Sequence, residues 1–233
     1  MKIRYYSDIL NDYFANTSIK TKPVDENFKY RRKGFVWNLL AFLLYYVIAV
    51  PIVFLVDKIF FGFRVKNRKA FFKVRNKGVF VYSNHTQILD PFFLPIAAFP
   101  KKVYPVAGAD AVSIPGLKHI VLMLGCIPIP TSLHAFPEFK RTIFRRIDGA
   151  NCASIFPEAH IWPYFTQIRP FKSTSFKYPV EKNAPVIAAT VTYRKRRGIM
   201  GAACRDPCTE RPDISRRFAF KAVRCAKIAG QRV

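Results

Sequence analysis

Acidic residues are scarce in this 233-residue chain. It has 14 aspartates and glutamates against 39 lysines and arginines, which gives a formal net charge of +25. So large an excess of cations indicates a polyanionic partner: a membrane leaflet, a phosphorylated substrate or nucleic acid. Half of the residues are nonetheless hydrophobic, and 23 are phenylalanine, which is unusually many for a purely soluble protein.

Several catalytic signatures are also missing. There is no G-x-S-x-G nucleophile elbow, so a covalent serine intermediate is not indicated, and no glycine-rich loop typical of nucleotide hydrolysis. Cys204 and Cys208 have no partners at zinc-ligand spacing, so neither a metal nor a resident cofactor is predicted. The five cysteines, odd in number and without a secretory signal, indicate reduced thiols in a cytosol-facing protein.

One long apolar run follows a polar N-terminal segment at residues 1–34. From Phe35 to Val56 no charged residue occurs, and apolar residues resume from Ile59 to Phe63, which predicts a membrane anchor over residues 35–63. Three forms of this segment are open. It could be a spanning helix, a monotopic helical hairpin bent at Pro51 between two basic flanks, or a buried core helix.

From residue 64 to about residue 200, short apolar runs alternate with amphipathic stretches. This pattern predicts one α/β domain with a mostly parallel central sheet flanked by helices. Strands are predicted at Gly78–Ser83, Lys102–Ala107, Cys126–Ile129, Cys152–Phe156 and Pro185–Tyr193. Helices are predicted at Pro91–Ala98, Ile114–Leu124 and Phe136–Ile147.

The first candidate site lies at the end of the strand predicted at Gly78–Ser83. His85 follows this strand, and Asp90 and Pro91 have the pattern of a helix N-cap and first helical residue. Ligand sites of such sheets lie off the carboxyl ends of the strands, so His85 is placed for chemistry. Across the strand-to-helix corner, Asp90 would hold one tautomer of His85 and make it a stronger base. The alternative is a loop histidine beside a capping aspartate.

Two later stretches contain candidate binding residues. Glu158 follows a predicted strand and a proline, where its carboxylate could accept hydrogen bonds from a substrate hydroxyl or brace a loop. Arg169 and Lys172 lie in a loop with several hydroxyl side chains. Such a loop can hold a phosphate, because arginine offers a two-pronged donor and lysine a point charge. Taken alone, each stretch could equally be a solvated turn or a basic surface loop.

Together these stretches resemble the phospholipid and glycerol acyltransferase family, and within it the 1-acylglycerol-3-phosphate acyltransferase branch. Residues Asn84–Asp90 resemble the first block of the family, H-x-x-x-x-D, and Phe156–Glu158 resemble the start of its third block. Pro170–Lys172 resemble the segment that follows that block, and Ala184–Val186 resemble the fourth block. Order and spacing agree from about residue 78 to residue 194.

The resemblance implies an enzyme that moves a fatty acyl group from acyl-CoA or acyl-carrier protein to a hydroxyl of a lysophospholipid. The implied acceptor is 1-acyl-sn-glycerol 3-phosphate and the product is phosphatidic acid. His85 would be the general base, Asp90 would orient it, and Glu158 would help to hold the acceptor or the loop. The apolar anchor and the net charge indicate a location at a membrane rich in anionic lipid, and the cysteines indicate that the active site faces the cytoplasm.

Two departures concern cations that the family associates with the phosphate of the acceptor. The third block usually continues Glu-Gly-x-Arg, whereas here Glu158 is followed by Ala159-His160-Ile161-Trp162. Arg169 or Lys172 would then have to supply the cation. The second block usually ends in an arginine, where this chain has Pro130-Thr131. The identity of the acceptor is therefore open.

Residues 201–233 form a basic segment in which the alternating strand pattern is no longer recognisable. We expect either a truncated or frame-shifted end that lacks the last strands, or a native tail that binds anionic lipid at about 1 kcal/mol per cation. A non-catalytic basic protein acting on membranes or nucleic acid is the alternative function. Nucleic acid is not expected, because the aromatic residues lie in apolar strands and in the anchor rather than between basic residues.

Overall fold

A computed structural model of the chain describes residues 8–9, 11–12, 19–32, 34–60, 62–162, 165, 167–195 and 216–226. Seven strands form one sheet: β1 (Arg64–Lys66), β2 (Val79–Ser83), β3 (Val103–Ala107), β4 (Ile127–Pro128), β5 (Cys152–Ile155), β6 (Val186–Lys195) and β7 (Arg216–Ala226). Their order across the sheet is β1-β7-β6-β2-β5-β3-β4. Neighbours run parallel except for β6 and β7, which are antiparallel. The predicted α/β class with a mostly parallel sheet is confirmed.

The α-helices of the described residues are α1 (Phe35–Phe42), α2 (Val50–Ile59), α3 (Lys69–Lys73), α4 (Asp90–Ala98), α5 (Lys118–Met123), α6 (Phe136–Asp148) and α7 (Lys177–Lys182). The central strand β2 is buried along its whole length, and its side chains alternate between two cores. Val79 and Val81 pack in one core with residues of α4, and Phe80 and Tyr82 pack in the other with residues of α6. This alternation explains why β2 consists of residues with high β propensity up to its last residue, Ser83.

The predicted helix Ile114–Leu124 is wrong in its first turn. The helix α5 begins at Lys118, because Gly116 adopts a φ of +75° directly after Pro115 and the chain turns there. The predicted strand at Cys126–Ile129 shortens to the two residues of β4. The short elements α3, α7 and β1 were not predicted at all, since each spans at most six residues and shows no clear period.

The apolar segment is one continuous helix from Phe35 to Ile59, long and apolar enough to cross a membrane. Its middle, Leu43–Ala49, is π-helical and joins α1 to α2 without a reversal, so the hairpin alternative is wrong. Pro51 lies in the first turn of α2. A proline removes one helical hydrogen bond and crowds the carbonyl four residues earlier, and the wider π-helical turn before it relieves that crowding.

This helix lies on the α/β domain along one side only. The Tyr45 hydroxyl accepts a hydrogen bond from the Val103 N–H at 2.9 Å, and the Tyr46 hydroxyl donates to the Pro100 carbonyl at 3.0 Å. Most of its large apolar side chains are exposed, among them Phe35, Phe42, Val47, Ile52 and Leu55. A buried core helix is therefore excluded for residues 35–59.

The C-terminal strand β7 corrects the expectation that no strand follows residue 200. It pairs with β6 from Val186↔Ala226 to Lys195↔Arg216, with a bulge between Ile187 and Ala188. On its other side it pairs with β1. The remaining expectations for the tail concern residues 201–215 and 227–233, which lie outside the described residues.

Candidate active site

His85 and Asp90 meet at the corner between β2 and α4. The His85 Nδ1 atom lies 3.1 Å from the Asp90 Oδ2 atom, and the two side chains are 12% and 0% exposed. A buried carboxylate at Nδ1 fixes the tautomer in which Nδ1 carries the proton and Nε2 is the free base. The Nε2 atom is on the side of the ring opposite Asp90, so it is the atom left to accept a proton from a substrate.

Asp90 is held by backbone groups that precede it in the chain. Its Oδ2 atom accepts the N–H of Thr86 at 2.6 Å and the N–H of Gln87 at 2.8 Å, besides facing the His85 ring. No side chain caps the first turn of α4, so the predicted helix-cap role of Asp90 is wrong. These hydrogen bonds instead hold the loop 84–89 in a turn around the Asp90 carboxylate. The same turn positions the His85 ring beside that carboxylate.

Asn84 ties this loop to the neighbouring strand. Its side-chain amide donates to the Val191 carbonyl at 3.0 Å, and its amide oxygen accepts the Val191 N–H at 2.8 Å. The pair continues the ladder between β2 and β6 by one more step. Asn84 is thus a positioning residue for His85, a role that the motif Asn84–Asp90 alone does not indicate.

The loop after β5 covers the other side of His85. The Phe156 ring stacks on the imidazole at 4.4 Å between centroids. The backbone N–H of Trp162 approaches the His85 carbonyl at 3.4 Å. The His85 N–H points to the Glu158 Oε2 atom at 3.5 Å. This loop therefore fixes both the ring and the backbone of His85, and Trp162 was not predicted to take part.

Glu158 and Arg169 form a buried ion pair beside this loop. Both side chains are 1% exposed, and the Arg169 Nε atom lies 3.5 Å from Glu158 Oε2. Arg169 also donates to the carbonyls of Glu158 and His160, and its guanidinium lies over the Trp162 ring at 4.6 Å. Burial raises the pKa of the Glu158 carboxyl, and the charge of Arg169 partly opposes that rise.

Lys172 is placed differently from Arg169. It is exposed and directly precedes a short 3₁₀ turn, Ser173–Phe176. That turn lies near the carboxyl end of β2, because the Tyr82 hydroxyl donates to the Ser175 carbonyl at 2.7 Å and the Tyr82 ring stacks on Phe176. The structure thus brings His85, Asp90, Glu158 and Arg169 into contact, and it leaves Lys172 at the same edge with its ammonium open to solvent.

No group of three metal-ligating side chains occurs among the described residues, and the prediction that the site holds no metal or resident cofactor stays a prediction. His160 was an alternative candidate for the cleft. Its carbonyl is bound by Arg169, and burial together with that cation lowers the pKa of its imidazole.

The family model of the acyltransferases, described simply as Acyltransferase, matches residues 62–192, which is more than half of the chain. The chain belongs to the Acyltransferase family. The matched range contains the four residues that the structure brings into contact: His85, Asp90, Glu158 and Arg169. A comparison with curated protein sequences finds no significant match.

Among solved structures, the chain of this acyltransferase is similar to the crystal structure of PlsC from Thermotoga maritima, a 1-acyl-sn-glycerophosphate (LPA) acyltransferase. The identity is 16%, the TM-score is 0.49, and the match covers 85% of this chain and 89% of that one.

Ala159 occupies the position where the resemblance to acyltransferases leads one to expect glycine. Its φ is +61°, a left-handed conformation that costs a residue with a Cβ about 1–2 kcal/mol. The strain lies between Glu158 and His160, the two residues whose carbonyls Arg169 binds. Holding this turn against the preference of alanine is one task that the buried ion pair performs.

We expect Ala159→Gly to stabilise this acyltransferase by about 0.5–1 kcal/mol, because the relief of strain exceeds the entropy that glycine gains in the unfolded chain. Thermal melting in detergent should rise by roughly 1–4 °C. Ala150→Gly is the matched control, since Ala150 has a φ of +56° in a turn before β5. It should raise the melting temperature without altering activity. A lower melting temperature for Ala159→Gly would contradict the account.

Proposed function

We propose that this member of the Acyltransferase family transfers a fatty acyl group from acyl-CoA or acyl-carrier protein to a hydroxyl of a lysophospholipid, with 1-acyl-sn-glycerol 3-phosphate as the leading acceptor and phosphatidic acid as its product. The observation that carries the proposal is the contact of His85 Nδ1 with the fully buried Asp90 carboxylate at 3.1 Å. That pair is a general base held in one tautomer, within a sequence range matched by the family.

In the proposed reaction, His85 Nε2 takes the proton of the acceptor hydroxyl while its oxygen forms a bond to the thioester carbonyl carbon. The tetrahedral intermediate then expels the thiolate by breaking the carbon–sulfur bond, and the imidazolium returns the proton to that sulfur. An ester and a free thiol result, and no covalent intermediate on the protein is formed. Asp90 stabilises the transient imidazolium, as in the acid–base part of a serine hydrolase triad.

We assign separate roles to the two candidate phosphate ligands. Arg169 is occupied by Glu158 and by two backbone carbonyls, so it braces the loop over His85 rather than reaching a substrate. Lys172 is exposed at the same edge of the sheet, and its ammonium is free to move towards the phosphate of an acceptor. Glu158 holds the His85 backbone N–H and completes this support.

We further propose that the protein sits in a membrane with its active site on the cytoplasmic side. The continuous helix Phe35–Ile59 exposes its apolar face. Apolar side chains are also exposed on loops that follow the carboxyl ends of β2, β4 and β5, where His85 lies: Ile88 is 68% exposed, Leu133 84% and Ile168 60%. Both features would bring the site to the surface of a bilayer, where acyl chains are found.

Alkaline carbonate extraction of membranes from expressing cells tests this location. We expect the full chain to stay in the membrane pellet, because extraction removes proteins held by charge but not a helix whose apolar face is buried in lipid. Complete release into the supernatant would contradict the proposal.

The activity is tested by a screen of acceptors with labelled acyl donors in detergent micelles. Glycerol 3-phosphate, 1-acyl-sn-glycerol 3-phosphate and other lysophospholipids would each be offered with acyl-CoA and with acyl-carrier protein. We expect ester formation with at least one lysophospholipid acceptor, together with one free thiol per ester. Failure with every acceptor, combined with a shift of RNA mobility, would instead support the non-catalytic basic protein.

A further inference from the structure

A cavity of about 490 Å³ lies away from His85 and is lined by an unusual number of cations. Its volume is within the range of about 300–1,000 Å³ that is typical of small-molecule sites. We call it the basic cavity and define it by Arg32, Trp37, Lys102, Tyr104 and Arg146, to which Lys29 and Arg31 add charge at its mouth. None of its lining residues is acidic.

The basic cavity lies at the amino ends of the parallel strands, whereas the candidate active site lies at their carboxyl ends. Lys102 directly precedes β3, and Val103 is level with Val79 at the start of β2 through their common partner Cys152. His85 lies beyond Ser83 at the other end of β2. The two sites are therefore separated along β2 by the four steps from Val79 to Ser83, which is about 13 Å at 3.3 Å per residue. The loops that follow the strand increase this distance.

The cations of the basic cavity are poorly neutralised by the protein. The Nε atoms of Arg32 and Arg146 are buried and have no hydrogen-bond partner among the described residues. Their guanidinium groups lie over aromatic rings, Arg32 over Trp37 at 4.8 Å and Arg146 over Tyr104 at 4.5 Å. A buried donor without a partner destabilises the protein, and a bound anion would supply the missing acceptor.

Lys102 shows the same lack of an anion. Its ammonium donates to the Met123 carbonyl at 2.9 Å and lies over the rings of Tyr45 and Tyr104. Burial, with a smaller effect of the neighbouring Arg146, lowers the pKa of Lys102 to about 8. Cations gathered without carboxylates, with nitrogen donors left unsatisfied, are the complement of a phosphate group.

The position of the cavity indicates which phosphate it would bind. Trp37 and Ala41 of the lining belong to the first turns of the apolar helix, and Phe35 and Val36 beside them are 81% and 67% exposed. Tryptophan residues at the ends of exposed apolar helices are typically found at the level of the lipid headgroups. The phosphate group abundant at this level of a bilayer is that of the phospholipid headgroups.

From the two buried arginine Nε atoms without partners, the cations and this position, we infer that the basic cavity binds the phosphate of an anionic phospholipid headgroup, at a second lipid site separate from the candidate active site. The site does not depend on the proposed acyl transfer. Binding can therefore be measured without turnover, and either claim can fail while the other stands.

The test is a titration of the full-length protein in neutral detergent micelles with phosphatidylglycerol, phosphatidic acid or phosphatidylcholine, followed by tryptophan fluorescence. Trp37→Phe identifies the part of the signal that comes from the cavity. We expect saturable binding of both anionic lipids and no response to phosphatidylcholine. The double variant Arg32→Gln/Arg146→Gln should bind roughly 30-fold more weakly, which corresponds to about 1 kcal/mol for each of two cations near a membrane surface.

Arg141→Gln is the matched control, because it removes the same charge from α6 at a side chain that is 61% exposed and paired with Glu138. It should change the affinity by no more than about 2-fold. Arg146→Lys keeps the charge and should retain most of the binding. Its binding shows whether the weaker affinity of the double variant comes from lost charge rather than from a folding defect. Inorganic phosphate, glycerol 3-phosphate and adenosine 3′,5′-bisphosphate form the soluble arm.

Three results would overturn the inference. They are wild-type affinity in the double variant with a normal melting temperature, an equal response to phosphatidylcholine, and displacement of the lipid by a soluble phosphate that binds the cavity more tightly. The last result would make a soluble phosphate compound the occupant.

Discussion

His85→Ala is expected to lower the rate of ester formation by at least about 10²–10⁴-fold, the usual contribution of a positioned general base. In the proposed reaction His85 Nε2 is the base, because Nδ1 faces the Asp90 carboxylate, while Glu158 is paired with Arg169. The measurement is the initial rate with labelled acyl-CoA and the best acceptor of the screen, at saturating concentrations of both.

Two comparisons make this result specific. His134→Ala removes an exposed imidazole from the short turn before α6 and should leave the rate unchanged. The melting temperature of His85→Ala should fall only by a few degrees. The variant loses the ring contact with Phe156 and the imidazole beside Asp90, but the Asp90 carboxylate keeps the N–H groups of Thr86 and Gln87. A rate within a few-fold of the wild type in a folded His85→Ala protein would refute the role of His85.

Arg169→Met is expected to lower the free energy of unfolding by about 3–5 kcal/mol, because it leaves the buried Glu158 carboxylate without its cation. Methionine keeps much of the length of the side chain, so loss of packing is the smaller effect. The loop over His85 also loses the donor that binds the carbonyls of Glu158 and His160, so the rate should fall with the stability. Denaturant unfolding in detergent measures the first effect.

The pH dependence of this variant has a defined sign. Burial already raises the pKa of Glu158, and the loss of Arg169 raises it further. Above the ordinary pKa of a glutamate, the folded state then binds more protons than the unfolded state, so stability falls as the pH rises. The deficit of Arg169→Met should therefore be largest at high pH and shrink as the pH is lowered towards that ordinary value.

Two variants serve as controls for the ion pair. Lys172→Met removes the neighbouring exposed cation and should change the stability by no more than about 0.5 kcal/mol. Glu158→Gln combined with Arg169→Met should recover part of the loss, because an amide is cheaper to bury than a carboxylate. Equal stability of Arg169→Met and the wild type across the whole pH range would contradict the structural role of the pair.

The contact between His85 and Asp90 could be predicted because both residues lie in one short stretch of the sequence. His85 and Asp90 are five residues apart, and an apolar strand that ends before a proline-initiated helix is visible in the sequence. The same pattern misled on the helix cap. The backbone N–H groups that Asp90 accepts belong to Thr86 and Gln87, and only the folded loop shows that they point to its carboxylate.

The support of the corner could not be predicted because it comes from distant parts of the chain. Asn84 binds Val191, 107 residues further on, and Trp162 donates its indole N–H to the Asp12 carbonyl, 150 residues earlier. Arg169 was predicted as a phosphate ligand from its residue type, and that role stays untested. Its guanidinium instead faces the buried Glu158, and only the folded chain shows that contact.

The strand order is another feature that needed three dimensions. β7 is rich in arginine and shows no simple alternation of apolar and polar residues, yet it inserts between β1 and β6. The sequence pattern identified the apolar runs of β2, β3, β4, β5 and β6. The place of such a strand in the sheet depends on its pairing partners rather than on its own sequence.

The central claim is that His85 and Asp90 act as one unit, and the rate of the double variant His85→Ala/Asp90→Asn tests it most directly. Asp90→Asn alone should slow ester formation by about 10²–10⁴-fold, because the asparagine no longer fixes the tautomer that leaves Nε2 as the base. Residues that act as a unit have non-additive effects. The account predicts that the double variant is no slower than His85→Ala. A double variant slower than His85→Ala by the full factor of Asp90→Asn would show that the two residues act independently and would contradict the account.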